Sequence, residues 1–333
     1  MSLVNKSLFE RLVLHASNLS HLNELIYYGY RTVRGNNLVD RQPDVDFGSY
    51  QRHFHDRQHI RLSYVIHFYF DQQKADTLFE LLDLYATYNR SILDHLEFVI
   101  VDDGSSLAVE IPRYHLNIRY LRILDDIAWN QGGARNLAAV YAAGPNIIFS
   151  DLDLVFPEHT LKYLLGFTRP KRSFYKFWRF DQEQNLIHNP HSNVFFMSRS
   201  LFFENFGYDE EFSGGHGGED YRFVKYMKYH GAVQRKLPKK YFIMNRKRIN
   251  RETDYHSLPR DQSRNQPIDR RKRSENRFLG SYFGHSRIFL NFKWTEIARY
   301  TRRPANEPQV DRWWQRRWLI RQLRTIISDF VRA

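Results

Sequence analysis

Between residues 61 and 156 the hydrophobic period changes repeatedly, as it does in chains that alternate strands with helices. Residues 63–70 (SYVIHFYF) are apolar or aromatic at nearly every position and predict a buried strand, and residues 78–88 predict the helix that follows. A second strand is expected at 96–101 (LEFVIV), where it stops abruptly in DDGSS, and a short third strand at 118–123. Small residues at 133–143 predict a closely packed helix, followed by a strand at 146–150 (NIIFS) that runs into Asp151. Such alternation argues for a mostly parallel sheet covered by helices on both faces. From 157 to about 232 the pattern predicts a helix, strands at 173–180 and 193–198, a glycine-rich loop and another helix.

The flanks differ in character. Residues 1–60 combine a helical spacing of leucines with a polar stretch containing His53, His55 and His59, best read as an extension and connector. Between Arg235 and Arg273 stand 14 Lys or Arg against four acids, which predicts a basic surface connector. From 311 to 331, Leu319, Leu323, Ile326, Ile327 and Phe330 share one helical face opposite Arg317, Arg321 and Arg324, with Trp313, Trp314 and Trp318 nearby. An interfacial helix fits that pattern. The expected organisation is an N-terminal extension over 1–60, an α/β domain over 61–300 and a basic amphipathic helix over 301–333. The domain divides into a first half at 61–156 and a second half at 157–300.

Composition narrows the function. A formal net charge of +13 points to a polyanionic neighbour, whether nucleic acid, anionic membrane or a phosphate-bearing substrate. With no cysteine, disulfides, thiolate metal sites and a cysteine nucleophile are excluded. No apolar run approaches the ~18 residues of a membrane span. The first residues, interrupted by Glu10, Arg11 and His15, do not read as a secretion signal. The expected location is the cytoplasm, with the C-terminal helix allowing peripheral contact with the inner face of the cell membrane.

Four motifs carry candidate chemistry. Asp151 and Asp153 follow a strand directly, where open α/β sheets bind ligands, and hard carboxylate oxygens suit Mg²⁺ or Mn²⁺. Asp102 and Asp103 end an earlier strand at a turn that Gly104 permits. Gly132, Gly133 and Arg135 open a helix whose N-terminus favours an anion. Gly217, Gly218, Glu219 and Asp220 deliver two acids to the start of another helix, where one could act as a general base.

In this order, VDDGSS, NQGGARN, SDLD and GGHGGED resemble the family 2 glycosyltransferases and related enzymes of the GT-A fold, a Rossmann-like α/β architecture. The resemblance spans about residues 63–231 and implies an inverting, metal-dependent transfer of a hexosyl residue. The donor would be a nucleotide sugar, with uridine as the default base and Gal, GalNAc, Glc or GlcNAc as the sugar. The GGED loop is similar to that of galactosyl- and N-acetylhexosaminyltransferases, although His216 stands where an aromatic residue usually precedes the glycines. The resemblance implies Asp102 or Asp103 at the base or ribose, and Gly132, Gly133 and Arg135 near the diphosphate. Asp153 would ligate the metal, with Asp151 at ribose or metal and His285 as a further ligand. Asp220 would be the base, with Glu219, His216, Gly217, Gly218 and His191 toward the acceptor. The acceptor class expected is a bacterial surface polysaccharide or lipopolysaccharide, free or lipid-linked. The alternatives are a nucleic-acid-binding protein, which the clustered carboxylates oppose, and an inactive scaffold of the same fold.

Overall fold

A computed structural model of the chain describes residues 57–71, 75–107, 109–167, 170, 172–246, 256–279, 285–286 and 288–302. The N-terminal extension up to residue 56, with His53 and His55, and the helix expected at 311–331 lie outside the described residues. Two sheets organise what is described. The larger has eight strands, β1 (Leu62–Phe68), β2 (Leu96–Asp102), β3 (Asn117–Ile123), β4 (Asn146–Ser150), β6 (Ser173–Lys176), β9 (Phe195–Ser198), β10 (Val233–Lys236) and β12 (Trp294–Tyr300). Their order is β10-β6-β9-β4-β1-β2-β3-β12. The block β4-β1-β2-β3 is parallel, while β9 and β12 run antiparallel to their neighbours. The smaller sheet has the order β5-β11-β7-β8, formed by β5 (Leu154–Val155), β7 (Trp178–Asp181), β8 (Leu186–His188) and β11 (Phe242–Asn245).

The period of two along each central strand divides its side chains between two cores. On β1, Leu62, Tyr64, Ile66 and Phe68 enter one core and Val65 the other; on β2, Leu96, Phe98 and Ile100 part from Val99 and Val101 in the same way. The first core is closed by α1 (Asp76–Ala86) and α4 (Glu158–Leu165), and the second by α3 (Gln131–Tyr141). Strands buried on both faces need the continuous apolar runs seen in the sequence. The short helices α2 (Arg90–Leu93) and α5 (Arg199–Glu204) complete the connections.

Two expectations need correction. The single strand expected at 173–180 is divided at the buried Phe177, so that β6 joins the large sheet and β7 the small one. The basic connector expected after 233 contains β10, β11 and α7 (Asn265–Leu279), and β12 caps the far edge of the large sheet. High charge concealed these elements because edge strands and surface helices bury only part of their side chains. Among the described residues no helix is long and apolar enough to cross a membrane.

Candidate active site

The carboxyl ends of β1, β2 and β4 open onto a cavity of about 560 Å³ lined by Asp103, Asp151, Asp153, Gln131, Trp129 and several histidines. Parallel strands with buried sides leave their C-terminal ends as the available ground for a ligand.

The VDDG turn sends its two acids in opposite directions. Asp102 is fully buried and accepts a hydrogen bond from the Ser105 backbone N–H at 2.8 Å, with Arg122 Nε 3.6 Å away. It shapes the turn and does not line the cavity. Asp103 does line it, and accepts from Asn130 Nδ2 at 3.1 Å. Burial pushes the Asp103 carboxyl well above its ordinary value. Gly104 has φ 77°, and a Cβ there would stand 2.9 Å from the Asp125 carbonyl oxygen, so both conformation and space require glycine.

The NQGGARN segment forms the start of α3, and its glycines are packing residues. A Cβ on Gly133 would lie 2.3 Å from Asn130 Oδ1 and 2.6 Å from Phe292, and one on Gly132 would lie 3.2 Å from Tyr208 Cβ. Neither lines the cavity. Arg135 is fully buried and works as a clamp between two motifs. Its Nη1 donates to Asp220 Oδ1 at 2.6 Å and to the Tyr208 hydroxyl at 2.8 Å, and its Nη2 donates to Asp151 Oδ1 at 2.8 Å. Burial opposes the Arg135 charge, but Tyr208, Asp220 and Asp151 outweigh it and raise its pKa. Sequence reasoning placed Arg135 at a diphosphate; the structure aims its terminal donors at the acids of SDLD and GGED instead.

Asp151 and Asp153 flank the buried Leu152 and both line the cavity. Burial raises the Asp151 pKa, against the pull of Arg135. The donor chemistry fits a hard divalent cation of the Mg²⁺ or Mn²⁺ kind, which is commonly held by one or two carboxylates and completed by substrate phosphates and water. Among the described residues there is no group of three or more His, Asp or Glu side chains arranged around a metal position. His285, expected as a further ligand, is buried away from this cavity. Its Nε2 lies 3.2 Å from the Gly207 carbonyl oxygen and its ring packs on Tyr226 and Phe206.

The glycine-rich loop leads into α6 (Glu219–Tyr229). Gly214, Gly217 and Gly218 all have positive φ, at 97°, 83° and 101°, which L side chains adopt only under strain. Asn265 of α7 holds the loop from below: its Nδ2 lies 3.1, 2.7 and 2.7 Å from the carbonyl oxygens of Phe212, Gly215 and Gly217. Asp220 is buried and engaged on both oxygens, by Arg135 and the Tyr208 hydroxyl on one and by Gln131 Nε2 at 2.9 Å on the other. Glu219 Oε2 is buried with no hydrogen-bond partner. Burial, and then the neighbouring Asp220, push the Glu219 carboxyl up to about 7.

His216 and His191 both line the cavity. Trp129 packs edge-on against both His216 and His256, with centroids 4.5 and 4.6 Å apart, and its backbone sits at φ 54°. Sequence reasoning missed Trp129, Gln131, His67 and His256. His67 ends a strand that reads as core throughout, and burial lowers its pKa to about 3 while it hydrogen-bonds the Gln131 side chain. Burial likewise lowers His191 to about 4. Both shifts favour the neutral imidazole, and the charged side chains of the lining are Asp103, Asp151, Asp153 and Arg260.

Acids at the ends of parallel strands, a further acid held by Arg135 and a ligand-sized cavity thus meet at the carboxyl end of an open α/β sheet. Residues 77–218, somewhat less than half of the chain, match the family described as Glycosyl transferase family 2. The match ends immediately before Glu219 and Asp220. No curated protein matches the chain. Among solved structures it is similar to S. aureus TarS 1–349, at 19% identity over 56% of this chain and 60% of that one, with a TM-score of 0.43. The same fragment in complex with UDP-GlcNAc gives 20% identity over 57% and 60%, with a TM-score of 0.46. Against the longer S. aureus TarS chain the match covers 56% of this chain and 36% of that one, at 19% identity and a TM-score of 0.41.

Proposed function

We propose that the chain transfers a hexosyl residue from a uridine diphosphate sugar to a hydroxyl of a glycan acceptor, with inversion, in assembly of a bacterial surface polysaccharide or lipopolysaccharide. The observation that carries this reading is the convergence of Asp103, Asp151 and Asp153 on one cavity at the ends of β1, β2 and β4. Asp103 is assigned to the nucleoside. Asp153, with Asp151, would hold Mg²⁺ or Mn²⁺, whose charge when bound neutralises the departing diphosphate. In the single displacement the acceptor oxygen bonds to the anomeric carbon as the bond to the diphosphate oxygen breaks.

The acceptor's proton is assigned to the Glu219–Asp220 pair. Asp220 already accepts hydrogen bonds on both oxygens and steadies Arg135. Glu219 has a buried carboxylate oxygen with no hydrogen-bond partner and stands behind the cavity lining with Asp220. Burial pushes its carboxyl up to about 7, the range in which a carboxyl group serves as base near neutral pH. We therefore assign proton acceptance to Glu219 and positioning to Asp220, a shift of one residue from the role implied by the motif. Gln131 lines the cavity while hydrogen-bonding Asp220, and so links the pair to the reacting centre.

The test is a thermal-shift titration of UDP with and without Mn²⁺ on wild type and Asp153→Ala. The expected result is Mn²⁺-dependent stabilisation by UDP that the substitution abolishes. Stabilisation of equal size in the variant would remove Asp153 from the metal, and none in the wild type would remove the donor site.

A further inference from the structure

Two lengths of chain that pair across the molecule are rich in cations and poor in acids. Residues 172–180 carry Arg172, Lys176 and Arg179, and residues 230–246 carry Arg235, Lys236, Lys239, Lys240 and Arg246, with no Asp or Glu in either. The fold sets them side by side, because β10 pairs with β6 and β11 with β7. The register places Lys236 directly beside Lys176. Like charges opposed across strands are destabilising unless something compensates them. Lys236 and Lys239 also share one indole: their ammonium groups stand 4.7 and 5.2 Å from the centre of the Trp178 ring.

Several other cations of the fold are neutralised within it, and in the patch itself, among the described residues, only Arg246 is. Arg57 pairs with Glu97, Arg222 with Asp269, Lys272 with Asp209 and Arg302 with Asp94, while Arg246 at the end of the patch pairs with Glu80. Among the described residues, no carboxylate lies within ion-pair distance of Arg235, Lys236, Lys239 or Lys240, all of which are exposed. A folded domain that accepts this concentration of unneutralised charge gains from an anion supplied from outside.

The patch is continuous with the cavity. Lys176 Nζ donates to the Ser192 carbonyl oxygen at 3.1 Å, and Arg179 Nε donates to the Asn189 carbonyl oxygen at 3.1 Å. The loop they brace presents His191, Ser192 and Asn193 to the cavity wall. An occupant of the patch can therefore enter the site over that loop, which makes it the acceptor rather than a separate partner.

We propose that the acceptor is an acidic glycan, bearing phosphate or carboxylate groups along its length, and that it lies on the β10–β6 and β11–β7 face with its reacting hydroxyl at the cavity. This deepens the transferase reading and rests on it. A neutral glycan would leave the charges of the patch unmet. A bilayer or a nucleic acid would meet them without delivering a sugar hydroxyl over the 189–193 loop.

The experiment uses the full chain, a patch reversal (Arg235, Lys236, Lys239 and Lys240 each to Glu) and a matched reversal of four exposed cations elsewhere (Arg90, Arg113, Arg270 and Lys293 each to Glu). Binding of phosphorylated dextran, carboxymethyl-dextran and unmodified dextran is measured at low and physiological salt, with UDP–Mn²⁺ binding as the control for an intact donor site. The expected result is salt-sensitive binding of one or both charged dextrans. It should weaken about tenfold or more in the patch reversal and by less than about twofold in the matched reversal, with UDP binding equal in all three proteins. Equal weakening in both reversals overturns the proposal, since net charge alone would then explain it, and so does binding of plain dextran as tight as that of the charged forms. Binding of phosphatidylglycerol vesicles or single-stranded DNA through the patch, with neither charged dextran bound, overturns it in favour of that partner. Absence of UDP binding in the wild-type chain removes the donor reading beneath the proposal, a failure distinct from the other three.

Discussion

Replacing Arg135 by Met tests the idea that one buried guanidinium holds the two acid motifs together. The substitution keeps most of the side chain's volume and deletes the donors to Asp151, Asp220 and Tyr208, which now lie 2.6 to 2.8 Å away. Removing one partner of a buried ion pair strands the other, at a cost of about 3–5 kcal/mol. At about 2–4 °C per kcal/mol for domains of 150–250 residues, the melting temperature should fall by about 6–20 °C. The pH dependence has a definite sign. Burial already raises the pKa of Asp151 and Asp220, and Arg135 opposes that rise. Without Arg135 their folded values climb further above the unfolded one. A carboxyl whose folded pKa is raised contributes stability at low pH and loses it as pH rises through the folded value. The deficit of the variant relative to wild type should therefore be smaller near pH 5 than near pH 8. Differential scanning calorimetry at both values, with Arg135→Lys to separate charge from geometry, measures it. A shift under about 2 °C near neutral pH, or a deficit that does not shrink in acid, would mean that Arg135 does not hold the two acid motifs together.

Three further outcomes follow from the same geometry. Glu219→Gln should lower kcat by about 10²–10⁴ while leaving UDP binding intact, and wild-type kcat should rise with pH through about 7 as Glu219 ionises; an unchanged rate would return the base to Asp220. Burial pushes Glu210 up to about 7 although it accepts hydrogen bonds from Asn136 Nδ2 and the Leu290 and Asn291 N–H groups, so wild-type stability should fall as pH rises from about 4.5 to about 7, and Glu210→Gln should flatten that slope in denaturant titrations. Gly133→Ala should cost about 1–3 kcal/mol because its Cβ must displace Asn130 and Phe292, and Gly132→Ala less, since its nearest contact is 3.2 Å; paired melting curves decide the order.

The parallel half of the sheet was legible because its strands are buried on both faces, and burial on both faces writes an apolar run into the chain. Edge strands leave no such mark. β10 is exposed at all four positions, and its sequence VQRK reads as surface. The division of 173–180 between two sheets was hidden for a related reason: period-two alternation reports which face a residue takes, and not which sheet its neighbour joins.

The site was legible as motifs and illegible as connections. Each acid-bearing motif ends a strand or starts a helix, and those positions follow from local pattern. What joins them does not. Arg135 lies 16 residues from Asp151 and 85 from Asp220, and no local rule separates an arginine that binds phosphate from one that clamps carboxylates. Burial makes that distinction. A phosphate-binding guanidinium must keep donors open to the cavity, whereas Arg135 is fully buried and spends its terminal nitrogens on protein oxygens. The clamp also ties donor-side and acceptor-side chemistry to one group. Whatever moves Asp151 on nucleotide binding acts, through Arg135, on Asp220 and so on the environment of Glu219. A donor-induced change in the Glu219 pKa, read as a shift of the kcat profile when Arg135 becomes Lys, is the physical consequence of placing a single cation between the two acid pairs.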